Sequence, residues 1–355
     1  ERILKKDKYN VVQWSSGNVG KASIKGIKDR DDLNLSGLIV NDNAKNGLDA
    51  GIIAGIDELG VLASTKPEEL LKDDIDCVHY TPLASFRMNK EDPDADKKNI
   101  IKILKKGINV VTTVGFLYPK AFGQDFLDEL EDACREGNVS LHGTGYNPGW
   151  LAELIPLTMS SMSQEINKII VSESSEFSYY PSKEIVIDGM LMGKTMEEYE
   201  NEAERYESWL GGLFKEALYL IAEGIGTEVL DVKEDIEIVT ADKDFNIAAG
   251  KIKKGTIAAQ RRKWTGNCSK DLVIVQEAIY RANEHSAPEW NESVGVNVEI
   301  QGIPNMKMSF SHDWNDDPLI STAMHGINAI PHVCDADPGF VSFLDLPLIS
   351  LKIGS

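Results

Sequence analysis

One stretch constrains this chain more than any other: an apolar run that breaks at a glycine turn and resumes as a helix. Residues 9–21 read Tyr-Asn-Val-Val-Gln-Trp-Ser-Ser-Gly-Asn-Val-Gly-Lys. Val11 and Val12 predict a short buried strand, and Ile24 and Ile27 follow at helical spacing. Gly17 and Gly20 occupy the second and third glycine positions of a GxGxxG fingerprint, with Ser15 at the first. In a strand–turn–helix unit the second glycine admits a pyrophosphate to the backbone, and the third allows close helix–strand packing. The helix N-terminus then supplies N–H donors. By itself the pattern also suits an ordinary strand–helix turn, so the rest of the chain must decide.

The next hundred residues alternate. Strands are expected at 33–40, 75–80, 108–113 and 139–142. Between them, residues 47–60 read as a glycine-rich loop with a short helix. Thr65-Lys66-Pro67-Glu68 reads as a capping box opening a helix through Leu71. Residues 96–106 form a helix stopped by Gly107, and Phe126, Leu127, Leu130 and Ala133 mark another ended by Gly137. Such alternation implies a parallel sheet with helical crossovers, the context that gives the glycine turn its meaning. In that context the residue closing the second strand selects the cofactor. Here Asn41 and Lys45 favour NADP, while Asp42 favours NAD or is a turn residue.

The pattern changes at Gly143-Thr144-Gly145-Tyr146-Asn147-Pro148-Gly149-Trp150, a tight loop after a strand. Ligands bind at that edge of open α/β sheets, though the loop also redirects the chain. A helix at 151–162, kinked at Pro156, and a strand at 168–174 lead into Ser175-Glu176-Phe177-Ser178-Tyr179-Tyr180, a polar aromatic loop suited to a pocket wall. A long acidic helix spans 196–222. Strand-like runs at 236–239, 256–260, 272–279, 294–300 and 306–310 predict an antiparallel sheet. A helix at 320–333 and a strand-like tail at 340–351 close the chain. The expected fold class is α/β: an N-terminal Rossmann-type doubly wound parallel sheet plus an α+β domain with a mostly antiparallel sheet. Residues 1–149 form the dinucleotide-binding domain, with 317–355 packing back near it. Residues 150–316 form a substrate and dimerisation domain.

Composition removes several classes. A net charge of −20 over 355 residues opposes nucleic-acid and anionic-membrane surfaces. Cys77, Cys134, Cys268 and Cys334 form no C-x-x-C pair, which suits reduced thiols and a cytoplasmic location. The histidines show no metal-ligand spacing, so no metal is expected. No apolar run reaches membrane-spanning length, and no signal-peptide core follows the Lys-rich start.

Four segments together resemble the dihydrodipicolinate-reductase-like superfamily, nearest to the 2,4-diaminopentanoate dehydrogenases and native amine dehydrogenases. They are residues 11–20, the run Asn109-Val110-Val111-Thr112-Thr113, the loop 142–150, and the tail Thr322-Ala323-Met324-His325-Gly326-Ile327-Asn328-Ala329-Ile330-Pro331 with Asp337-Pro338-Gly339-Phe340. The resemblance implies an NAD(P)H-dependent homodimer that reduces an imine made from a carbonyl compound and ammonia. It places Ser15, Ser16, Gly17, Asn18 and Val19 at the pyrophosphate, and Asn41 and Lys45 near the ribose 2′ position. It sets Thr81 and Pro82 along the cofactor, and Thr144, Asn147 and Pro148 at the nicotinamide. Glu176, Tyr179 and Tyr180 match the part of the family pattern that lines the substrate pocket.

Two departures stand out. The histidine- and lysine-containing catalytic segment of the dihydrodipicolinate reductases is missing, which argues against their substrate. The amine dehydrogenases carry a glutamate just after the V-V-T-T strand, where this chain has Val114-Gly115-Phe116. Three readings follow. An amine dehydrogenase would need another carboxylate beside its cationic imine, and Glu176 is the candidate. An ammonia-independent reductase of a carbonyl or activated C=C bond would need a proton donor, which Tyr179, Tyr180 or His325 could supply. A cofactor-binding protein without turnover is the third, since fold does not fix function.

Overall fold

The computed structural model describes residues 6–290, 292–311 and 317–352. The chain divides into two compact units: Glu1–Trp150 with Asp316–Ser355, and Leu151–Asn315.

The first unit is built on a parallel sheet. Its elements are β1 (Tyr9–Trp14), α1 (Asn18–Lys28), β2 (Leu33–Ile39), α2 (Ala50–Ala54), β3 (Ala63–Ser64), α3 (Pro67–Leu70), β4 (Cys77–Tyr80), α4 (Ser85–Met88), α5 (Ala95–Lys105), β5 (Asn109–Thr112), α6 (Gln124–Gly137) and β6 (Ser140–Gly143). The second unit carries α7 (Leu154–Ser160), β7 (Glu165–Glu176), α8 (Met196–Ile225), β8 (Val229–Thr240), β9 (Phe245–Ile247), β10 (Gly250–Ile252), β11 (Ile257–Cys268), β12 (Val273–Arg281), β13 (Gly295–Ile303) and β14 (Met306–Phe310). The chain then returns to the first unit with α9 (Asp317–Cys334) and β15 (Gly339–Phe340).

Strand order in the first sheet is β15-β6-β5-β4-β1-β2-β3, with every pairing parallel. The order reverses between β1 and β4, so the crevice past their carboxyl ends is the topological switch point. Alternate side chains fill both faces. Val12, Val78, Val110 and Leu141 pack with Ile100, Ile103, Leu104 and Leu130 of α5 and α6. Val11, Cys77 and Val111 pack with Ile27 of α1 and Ile327, Ile330 and Val333 of α9. The C-terminal helix is therefore part of this unit's core. The second unit's main sheet runs β14-β13-β7-β12-β11-β8 and is antiparallel except for the parallel pair β7–β12.

Local chemistry shifts several expected boundaries. No capping box opens α3: Lys66 is the N-cap and Pro67 takes the first helical position, which its fixed φ favours. Thr65 is turned instead toward Asn46. Pro156 does not kink α7, because the helix starts at Leu154 and the proline falls in its first turn, where a missing N–H breaks no bond. Only Gly339 and Phe340 of the tail form a strand, since Asp345 accepts from the Ser342 N–H and hydroxyl, both at 2.8 Å, and turns the chain away. Glu176 ends a strand rather than opening a loop.

Candidate functional site

The turn after β1 is tight at Ser15 and Gly20 and open at Gly17. Ser15 takes a φ of 92° in place of the usual glycine, and its Oγ accepts from the Gly17 N–H at 3.3 Å, a local bond that glycine could not offer. A Cβ on Gly20 would lie 2.1 Å from the Ser15 carbonyl oxygen, so this glycine serves helix–strand packing. Gly17 is different. Its φ is −69°, open to any residue, and a Cβ there would meet only Ser15 Oγ at 3.8 Å. Gly17 is the N-cap of α1 and has no side chain to cap it, so it leaves the first-turn N–H donors to other partners. The free N–H donors of a helix start and the room at Gly17 suit a pyrophosphate.

Lys45, 29 residues away, joins this turn: its Nζ donates to Ser16 Oγ at 3.0 Å. Asn41 is exposed just past β2, and Asp42 accepts from the Ala44 N–H at 2.9 Å, which makes it a turn residue. Thr81 and Pro82 follow β4 at the switch point. The Thr81 hydroxyl is buried, accepting from Gln13 Nε2 at 2.8 Å and donating to the Trp14 carbonyl at 3.2 Å.

The loop after β6 lies along the same sheet edge and is held firmly. The Thr144 N–H donates to the Thr112 carbonyl at 2.8 Å. Thr144 Oγ lies 3.3 Å from the Gly149 carbonyl and 2.6 Å from His325 Nδ1. Gly143 is pressed on the backbone of Gly115 and Phe116, so the stretch after β5 abuts the foot of this loop. His325 is not an exposed proton donor. Burial, and secondarily His142, push its pKa down to about 3, so it is neutral at physiological pH. His142 donates from Nδ1 to the Val341 carbonyl at 2.8 Å, and the Phe343 ring contacts both imidazoles.

In the second unit Glu176, Tyr179 and Tyr180 are half-buried around the end of β7. Glu176 Oε1 accepts from the Ser178 N–H at 2.9 Å, and the Tyr180 ring meets Phe177 edge-on at 6.2 Å. Sequence reading missed a second acid on this strand. Glu173 is buried, accepts from Ser175 Oγ at 2.8 Å, and hydrogen bonds the buried phenol of Tyr280. Its signal was its place among Ser172, Ser174 and Ser175 in a strand otherwise reading as apolar. Arg262 lies nearby in the unit's polar interior, 4.6 Å over the Tyr206 ring and donating to Tyr199 Oη at 2.7 Å.

A parallel sheet with an open, uncapped glycine turn at its switch point defines a dinucleotide-binding protein, here joined to a second α+β unit. Residues 151–355 match the family model described as the 2,4-diaminopentanoate dehydrogenase C-terminal domain, which is more than half the chain. The chain belongs to that family. It is 27% identical to an amine dehydrogenase of Streptomyces virginiae, with 96% of each chain aligned. It is 28% identical to a 2,4-diaminopentanoate dehydrogenase of Acetoanaerobium sticklandii over 69% of this chain and 68% of that one. It shares the fold of the amine dehydrogenase from Mycobacterium smegmatis, with a TM-score of 0.81, 19% identity and 98% of each chain covered. It is thus an amine-dehydrogenase-like, NAD(P)-dependent oxidoreductase. Among the described residues, no helix is long and apolar enough to cross a membrane.

Proposed function

We propose that this enzyme reduces the imine formed from a small ketone or aldehyde and ammonia, and catalyses the reverse oxidation of the amine. The carrying observation is the turn after β1, where Gly17 leaves room that the fold itself does not need, in a chain of this family. Ser15, Ser16, Gly17, Asn18 and Val19 hold the pyrophosphate. Asn41 and Lys45 sit toward the ribose 2′ position and make NADP(H) acceptable beside NAD(H). Thr81 and Pro82 flank the cofactor, and Thr144, Asn147 and Pro148 hold the nicotinamide. The bound nicotinamide supplies the hydride or receives it. The protein orients the substrate, excludes water and keeps a carboxylate near the cationic imine, whose charge is costly in a dry pocket.

Glu176 is our first choice for that carboxylate, with Tyr179 and Tyr180 binding the substrate. Glu173, three residues earlier and already desolvated, is the second. An ammonia-independent reductase is the competing reading, favoured by the absence of a carboxylate in Val114-Gly115-Phe116. NADPH oxidation over a panel of ketones, with and without ammonium, separates the two. Ammonium-dependent turnover is expected, and turnover indifferent to ammonium overturns the proposal. Glu176→Gln should lower that turnover by roughly 10²–10³-fold while leaving NADPH affinity unchanged. If Glu173→Gln produces this loss instead, the role passes to Glu173. The four cysteines form no disulfide, which supports a reducing, cytoplasmic setting, and the second unit's sheet is the surface we assign to a homodimer.

A further inference from the structure

His325 reaches the loop after β6 from 181 residues away, and the hydrogen count around it admits one economical arrangement. Thr144 Oγ has one hydrogen and two neighbours, the Gly149 carbonyl and His325 Nδ1. A carbonyl can only accept. If His325 carries its proton on Nδ1, it donates to Thr144 Oγ and the threonine hydrogen goes to Gly149. If the proton sits on Nε2, Thr144 must turn its hydrogen to Nδ1, and the carbonyl loses it. Nε2, which is buried and has no partner among the described residues, would then be a stranded donor. Leaving a donor stranded out of water costs more than leaving a lone pair unfilled.

We propose that His325 is a positioning residue, a neutral Nδ1–H donor that commits the Thr144 hydroxyl to the Gly149 carbonyl and so fixes the loop 143–150. The role in turnover rests on the assignment of Thr144, Asn147 and Pro148 to the nicotinamide. The relay Nδ1–H → Thr144 Oγ–H → Gly149 carbonyl ties the two ends of the loop together across Asn147 and Pro148. Its source is secured: Phe343 packs on the His325 ring at 5.6 Å and on His142 at 5.0 Å. His142 in turn holds the Val341 carbonyl. The C-terminal segment thereby sets the geometry of a loop that precedes it by more than 170 residues.

The test uses the full chain and the variants His325→Leu, His325→Asn, Thr144→Val and Thr144→Ser. Nitrogen NMR of the cofactor-free wild-type protein should show His325 as the neutral Nδ1–H tautomer. In His325→Leu, amide exchange across residues 144–150 should quicken by roughly 10–100-fold, reporting local opening. Turnover should fall by roughly 10–50-fold while NADPH affinity, set at the glycine turn, stays within about 3-fold. Asparagine places an N–H donor where Nδ1 stood, so His325→Asn should recover most of both losses. Read by amide exchange alone, Thr144→Val should quicken residues 144–150 as leucine does with His325 intact, and Thr144→Ser, which keeps the hydroxyl, should quicken them far less, which keeps the proposal testable if His325→Leu folds poorly. An Nε2–H tautomer, or loop exchange and turnover both unmoved by leucine, would overturn the relay. Faster loop exchange with unchanged turnover would keep the brace and overturn the loop's assignment to the nicotinamide.

Discussion

The turn after β1 and the loop after β6 each rest on a neutral histidine, fully buried in the first case and partly buried in the second, but the two braces come from different parts of the chain. Beneath the first, His79 Nδ1 donates to Gln13 Oε1 at 3.0 Å, and Gln13 Nε2 donates to the Ser15 carbonyl at 3.2 Å. Both residues lie on adjacent central strands. Beneath the second, the donor sits on α9, a helix added after the whole second unit. The N-cap of the helix after the first turn makes no side-chain hydrogen bond, whereas in the second loop the Thr144 hydroxyl is engaged by Gly149 and His325. The proposed pyrophosphate site is thus local to one strand–turn–helix unit, while the loop proposed for the nicotinamide is tied to the C-terminal segment. The helix α9 touches both: a Cβ on Gly326 would lie 2.3 Å from His79 Nε2, and its neighbour is His325.

The largest expected effect breaks both braces together. Burial lowers the pKa of His79 to about 3 and of His142 to about 4, and burial with the nearby His142 lowers that of His325 to about 3. All three are neutral in the folded protein, whereas the unfolded chain takes up protons below pH 6.5. Stability is therefore full above that value and is lost as pH falls toward the folded-state pKa values. At pH 5.5 each histidine costs about 1.4 kcal/mol relative to neutral pH, about 4 kcal/mol together. Among the described residues the second unit has only the exposed His285, so urea denaturation at the two pH values should show the loss in the first unit. An equal loss in both units, or none, would refute neutral burial as the brace.

Next in size is a change confined to the first turn. Gly17→Val should weaken NADPH binding by ~100-fold, about 2.7 kcal/mol, because the added bulk enters the pyrophosphate's space. Stability should change by only about 1 kcal/mol, the scale of an N-cap substitution. Fluorescence titration beside a denaturation curve checks both. Smaller still is Gly326→Ala, whose Cβ must displace an imidazole fixed by Gln13; it should cost about 1–3 kcal/mol, the range of core overpacking. It should also loosen the turn after β1, which amide exchange at residues 15–17 would reveal.

The contrast also explains what was legible in the sequence. The parallel sheet could be read because each of its strands and helices carries its own period and its own stop, as with Gly107 or Gly137. The positions of Gly17 and Gly20 were legible for the same reason, being fixed by neighbours three residues apart. The brace on Thr144 was not, because no local pattern ties it to a histidine 181 residues later. The tail motif around His325 and Gly326 could be recognised as a pattern but not understood: one residue donates to Thr144 and the next makes room for His79. Glu173 escaped for a related reason, since the acid looks exposed in sequence until the register of β7 with β12 and β13 buries it.

The smallest expected effect sharpens the cofactor end. Lys45 reaches the glycine turn through Ser16, at 3.0 Å, and Asp42 beside it is committed to the Ala44 N–H. A 2′-phosphate arriving past β2 would find the Lys45 ammonium and the Asn41 amide, with the Asp42 carboxylate occupied in its turn. A 2′-hydroxyl would gain little from the ammonium. Lys45→Ala should therefore weaken NADPH by ~10-fold, about 1.4 kcal/mol, and NADH by less than about 2-fold. The difference should shrink as salt is added, because the pair is partly exposed and screened. Dissociation constants for both cofactors at two salt concentrations measure it directly. Equal weakening of NADH and NADPH would show that Lys45 acts through Ser16 on the pyrophosphate turn that both cofactors share, and would remove it from the 2′ position.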